Sequence, residues 1–97
     1  MIIVHDIFVC KPGNSSKAAK IFKEMMADNK DIVNIMTDMT GQYHRMIMVS
    51  QYENVAAWEK AQEKYMNPTE EMKKGMEKMK SFQDMYIGGS REIFKVW

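Results

Sequence analysis

The chain has one cysteine, Cys10, among 97 residues, so no internal disulfide can form. Its place in an apolar run reads as a small buried side chain, and a reducing cytoplasmic setting is expected. Charge of one sign is also missing. With 14 Lys and Arg against 13 Asp and Glu the formal charge is +1, which supplies no field to gather nucleic acid or anionic lipid. Long apolar runs are absent too. No stretch approaches the roughly 18 apolar residues of a membrane helix, and Met1 to Cys10, without a basic leader and broken by His5 and Asp6, does not read as a signal peptide. Neither nucleic acid nor a membrane is an expected partner.

Metal and phosphate signatures are equally thin. One Cys and two separated His, His5 and His44, cannot close a tetrahedral zinc site. Gly88-Gly89 precede a strand pattern, not the helix that a phosphate-binding loop requires. The 12 methionines raise the question of soft-metal ligation, but they fall on expected core faces, where Met fills irregular space. No metal and no cofactor is expected.

What is present is enough to fold. A chain of 97 residues with 45% hydrophobic and 28% charged residues fits one domain spanning 1–97 with its own core. Ile2 to Cys10 is rich in Ile, Val and Phe and ends at Lys11-Pro12-Gly13-Asn14, which predicts a strand followed by a turn. Both faces of that strand are apolar, Ile3, Ile7 and Val9 opposing Ile2, Val4, Phe8 and Cys10, as in a central strand covered on both sides. Ser15 or Ser16 is positioned to cap a helix with Ala18, Ile21, Phe22 and Met25 at helical spacing, ending near Asp28-Asn29.

Alternation over Asp31–Met39 and Tyr43–Tyr52, around Gly41, predicts a hairpin. Asn54 caps a second helix carrying Trp58, Ala61 and Tyr65 on one stripe. A third helix restarts at Asn67-Pro68-Thr69-Glu70 and runs to about Asp84 with Met72, Met76, Met79 and Phe82 inward. Gly88-Gly89-Ser90 then lead into a final strand, Arg91–Trp97. The order is β-α-β-β-α-α-β, an antiparallel four-stranded α+β arrangement with helices on one face.

That order, with Ile2-Ile3-Val4-His5-Asp6-Ile7-Phe8-Val9, Tyr52-Glu53-Asn54-Val55-Ala56-Ala57-Trp58 and Arg91-Glu92-Ile93-Phe94-Lys95-Val96-Trp97, resembles the antibiotic-biosynthesis-monooxygenase-like branch of the ferredoxin-like folds, the dimeric α+β barrels. The resemblance implies a homodimer built by two sheets, and a small-molecule pocket between sheet and helices. That group includes monooxygenases that work without a cofactor, haem-degrading enzymes and proteins of unknown function, so fold alone does not select an activity. In the haem-degrading branch a Trp is followed by an iron-ligating His, and this chain has no His after His44. In the polyketide monooxygenases an Asn and a Trp one turn apart hold the substrate, and Asn54 with Trp58 has that spacing. The stacking aromatics of the RNA-recognition fold are missing from Tyr43–Met48.

The candidate site follows. His5, mid-strand among apolar neighbours, is the candidate catalytic base, although a hydrogen-bonded structural histidine fits the same position. Trp58 and Tyr65 can face a flat ligand or simply pack. Asn54 serves a ligand or only its helix cap, and His44 and Arg45 lie on opposite faces of the third strand. His5 and Trp58 are expected to line one cavity, with Asp6 on the other side of the strand. Two functions remain open: a monooxygenase-like enzyme acting without metal or haem on a flat apolar molecule, and a non-catalytic dimeric domain that binds a small ligand or is purely structural.

Overall fold

The computed structural model describes residues 1–67 and 69–97, with side chains for all of these except residues 71, 75, 76, 78 and 79. The elements are β1 (Ile2–Cys10), α1 (Ser15–Met25), β2 (Ile32–Thr37), β3 (Arg45–Tyr52), α2 (Val55–Met66), α3 (Glu70–Gln83) and β4 (Tyr86–Lys95). The strands form one sheet in the order β2-β3-β1-β4, with every neighbouring pair antiparallel. The expected order of elements is therefore the observed one, and β1 is central.

Period two runs along β1, with Phe8 the exception, half-buried on the otherwise buried face. Ile2, Val4, Asp6 and Cys10 are buried, whereas Ile3, His5, Ile7 and Val9 are only half-buried. The even-numbered set faces the helices. Phe8 meets Phe22 of α1 at 5.4 Å and Phe82 of α3 at 5.1 Å between ring centroids, and Phe22 meets Phe82 edge-to-face at 4.8 Å. These rings, with Cys10, Ala18 and Met46, are the core, and they sit toward the Cys10 end of β1. Among the described residues no helix covers the second face of the sheet, so the two-sided cover expected for β1 is present on one side only.

Several boundaries differ from the sequence reading. Asn14, not a serine, precedes α1; it has helical dihedrals and makes no side-chain cap, because the Lys11–Asn14 turn winds straight into the helix through Ala18 N–H to Asn14 O. The helix stops at Met25, short of Asp28. Tyr43 and His44 have φ of 65° and 59°, a left-handed conformation no strand can hold, so β3 begins at Arg45 and His44 lies before it. Thr69 rather than Asn67 caps α3, its Oγ1 accepting from Met72 N–H at 3.3 Å; the expected Pro68 start and the inward Met76 and Met79 lie outside the described residues.

Most instructive is β4, which starts at Tyr86 and runs through Gly88-Gly89-Ser90. Gly89 is opposite Phe8, and a Cβ there would meet the Ile7 carbonyl oxygen at 2.8 Å. The glycine permits the close approach of two strands where the sequence suggests a turn.

Candidate functional site

The polar residues of interest lie on the helical side of the sheet, at the end of β1 away from the aromatic core. Asp6 stands opposite Arg91 of β4, and Arg91 Nε–H donates to Asp6 Oδ1 at 2.5 Å. The Asp6 side chain is 10% exposed and that of Arg91 44%. The guanidinium carbon lies 5.2 Å from the centre of the Trp58 ring on α2, a cation–π contact that ties helix to sheet. Trp58 Nε1–H is buried and, among the described residues, has no hydrogen-bond partner. Leaving such a donor unpaired costs about 1–3 kcal/mol, which makes it a position where a ligand acceptor would be rewarded.

β3 extends the cluster. Ser50, opposite Val4, is 2% exposed, and Tyr52 stands opposite Ile2. Burial pushes the Tyr52 hydroxyl above the ordinary phenol range; its hydrogen bond with Ser50 opposes that shift, and the negative charges of Asp31 and Asp6 add to it. Burial likewise raises Tyr65, against a hydrogen bond from Asn29 Nδ2 at 3.2 Å and together with the charges of Asp31 and Asp6. Tyr52 also lines a groove of about 410 Å³ with Met1, Asp31, Gln51, Glu53 and Ala57. A second groove of about 300 Å³ runs between the end of α1 and β2, lined by Lys23, Met26, Ala27, Ile32, Val33, Asn34 and Ile35.

The residues singled out from sequence separate into groups. Trp58 and Tyr65 both lie on α2 at this cluster. Asn54 Oδ1 accepts from Ala57 N–H at 2.8 Å, so its side chain is committed to the helix cap. His44 is exposed in the turn before β3, and its carbonyl accepts from Cys10 N–H at 2.8 Å. His5 does not share a cavity with Trp58: it lies on the opposite sheet face, edge-on to Phe94 with ring centroids 5.1 Å apart. Asp6 is the β1 residue on the helical side. Arg91, Ser50 and Tyr52 were not legible as site residues, because only the strand register brings them beside Asp6 and Val4. Among the described residues no cluster of three His, Cys, Asp or Glu side chains could hold a metal ion, and no helix is long and apolar enough to cross a membrane.

Asp6, accepting from Arg91, sets carboxyl oxygens next to a cation, and Trp58 adds an N–H donor. Carboxylate, cation and donor meet where α2 packs on the sheet, and neither of the two grooves has Asp6, Arg91 or Trp58 in its lining.

No protein-family model and no curated protein matches the sequence. Solved structures do match in fold. A NIPSNAP family protein of unknown function from Agrobacterium tumefaciens superposes with a TM-score of 0.81 at 10% identity, over 99% of this chain and 87% of its own. An uncharacterised NIPSNAP-like domain protein from Burkholderia xenovorans gives 0.79 at 12% identity, over 99% and 84%. A candidate antibiotic biosynthesis monooxygenase from Nitrosomonas europaea gives 0.61 at 12% identity, over 99% and 98%. At these identities the likeness establishes the ferredoxin-like α+β fold, shared more strongly with the NIPSNAP structures than with the monooxygenase-like one.

Proposed function

We propose that this chain forms a homodimeric small-molecule-binding domain whose ligand is a flat, mainly apolar organic molecule bearing an oxygen acceptor, held at the edge of Trp58 beneath α2. The observation that carries this reading is the buried, unpartnered Trp58 Nε1–H beside the Asp6–Arg91 pair. Tyr65 and Tyr52 contribute further ring surface and hydroxyls at the same end of the sheet. The direct test is calorimetric titration with 2-naphthoate and with naphthalene, flat rings with and without an acceptor. Binding of naphthoate alone supports the reading, and equal binding or none for both contradicts it.

Dimerisation is supported by the helix-free sheet face. Ile3, Ile7, Val9 and Ile47 are half-buried there and Phe94 is 46% exposed, an apolar surface that a second copy would remove from water. Sedimentation should give a dimer at micromolar concentration, and Ile7→Glu should give a folded monomer. A monomeric parent chain contradicts this part.

A second reading, monooxygenase-like catalysis without metal or haem, is favoured by one observation. The Asp6 carboxylate, held beside a fixed cation, could take a proton from an acidic ligand while Arg91 steadies the anion formed. Asp6 then takes the base role that the sequence suggests for His5. Oxygen uptake with 1-naphthol as substrate, lost in Asp6→Asn while naphthoate still binds, would select this reading over binding alone.

A further inference from the structure

At the Tyr65 side of that cluster, the end of α1 meets the end of α2 through a short chain of donors that ends on sulfur. Asn29 Oδ1 accepts from Asp31 N–H at 3.0 Å, which fixes the amide so that its Nδ2 faces Tyr65 and Met26. Asn29 Nδ2 donates to Tyr65 Oη at 3.2 Å, and Tyr65 O–H points at Met26 Sδ at 3.8 Å. Asn29 Nδ2 itself lies 4.0 Å from the same sulfur. Two good donors therefore converge on a thioether, one of the weakest acceptors in proteins. Met26 is half-buried and lines the 300 Å³ groove between α1 and β2, so a small oxidant can reach it. Tyr65 is 38% exposed as a residue, and the partial desolvation of its hydroxyl holds it above the ordinary phenol range, so it remains a donor at neutral pH.

We propose that Met26 is a built methionine-sulfoxide site, in which reversible oxidation by a hydroperoxide creates the oxygen acceptor that Tyr65 and Asn29 already address. The Met26 sulfur attacks the terminal peroxide oxygen, the O–O bond breaks, and an S–O bond forms. Sulfur loses two electrons, the peroxide gains them, and the other oxygen leaves as water or an alcohol. An oxygen one bond out from Sδ shortens both donor contacts toward ordinary lengths of about 2.7–3.0 Å. Sulfoxide formation in a packed site ordinarily introduces an unsatisfied polar group. Here it finds donors in place and fastens the end of α2 more firmly to α1.

Several other methionines serve as internal references. Met39 and Met66 are 97% and 80% exposed, and Met46 is fully buried. The experiment treats the whole chain with graded hydrogen peroxide, maps sulfoxides by peptide mass spectrometry and follows thermal melts of the parent chain, Tyr65→Phe and Met26→Leu, each against its own reduced form. The expected result is Met26 oxidised on the time scale of Met39 and Met66. The parent chain and Met26→Leu should then shift on oxidation by the same amount within a degree or two, each from its own reduced form, while oxidised Tyr65→Phe melts lower than its reduced form by about 5 °C, the shift expected of roughly 1 kcal/mol in a domain this size. Methionine sulfoxide reductase should reverse the Met26 signal. Met26 left reduced when Met39 and Met66 are fully oxidised overturns the proposal, as does an equal loss in the parent chain and Tyr65→Phe. Should Tyr65→Phe fail to fold, Asn29→Ala removes the second donor and supports the same comparison.

Discussion

Asp6 and Arg91 face each other across the β1–β4 ladder as an unequal pair, the carboxylate nearly buried and the guanidinium half in water. The inequality sets the direction of a mutational test. Arg91→Met leaves a carboxylate under α2 without its counter-charge and should cost about 2–3 kcal/mol, below the 3–5 kcal/mol of a fully buried pair because water reaches the Arg91 side. Asp6→Asn leaves a cation that can turn to solvent and should cost about 1 kcal/mol or less. Urea denaturation of the two variants measures both. An equal cost, or a larger one for Asp6→Asn, contradicts the burial seen here.

Gly88 and Gly89 give a second contrast within one strand. A Cβ at Gly89 would meet the Ile7 carbonyl oxygen at 2.8 Å, backbone that cannot swing away, whereas nothing lies within 4 Å of one at Gly88. Gly89→Ala should destabilise by about 1–3 kcal/mol, the usual range for forced overpacking. Gly88→Ala should fall within about 0.5 kcal/mol of the parent chain. Melting both variants side by side checks the β1–β4 register directly.

The Asp38–Arg45 pair predicts acid sensitivity. The Arg45 side chain, donating from Nε at 3.0 Å, is the largest cause that holds the Asp38 carboxyl below its ordinary range, with the Arg45 backbone N–H adding to it. A carboxyl lowered in the folded state stabilises above its unfolded value, about 3.9, and that stabilisation disappears as pH falls through the lower folded value. Asp38→Asn should therefore remove part of the acid-induced fall in stability below about pH 4. Thermal melts between neutral pH and strong acid test this. Parallel curves for the two proteins would show that the pair contributes nothing.

The tyrosines act at the other end of the scale. Burial raises both Tyr52 and Tyr65, so each stabilises while protonated below the ordinary phenol value near 10, and that contribution is lost as pH rises through the raised folded values. Alkaline titration followed by phenolate absorbance should show Tyr52 and Tyr65 ionising above the ordinary phenol value. Tyr65→Phe should remove one of them. Loss in Tyr65→Phe of an absorbance change at the ordinary phenol value near 10 would contradict the raised Tyr65.

Much of the fold was legible because it rests on local chemistry. The two apolar faces of β1, the Asn54 cap and the Ala18–Phe22 stripe are each set by period, capping preference and side-chain type. The boundary of β4 was not, since Gly88-Gly89 serve a contact with β1 that lies some eighty positions earlier in the chain. The strand start at Arg45 was hidden because neither Tyr43 nor His44 advertises its left-handed backbone. The candidate site was half legible. Trp58 and Tyr65 follow from helical spacing, and period two places His5 and Asp6 on opposite faces. Which of the two faces the helices depends on packing, and Phe8 and Cys10, sharing the Asp6 phase, enter the aromatic core. Arg91 became visible only through the antiparallel register that sets it opposite Asp6.

The central claim is that the buried Trp58 N–H awaits a ligand oxygen, and Trp58→Phe tests it most directly because it keeps a ring against Arg91 while deleting only the donor and part of the indole. Calorimetric titration of 2-naphthoate into the parent chain and this variant, with a thermal melt of each, is the measurement. The account predicts affinity at least about tenfold weaker, equivalent to about 1.4 kcal/mol, with the melting temperature unchanged or raised once an unpaired buried donor is gone. Unchanged affinity in Trp58→Phe would contradict it.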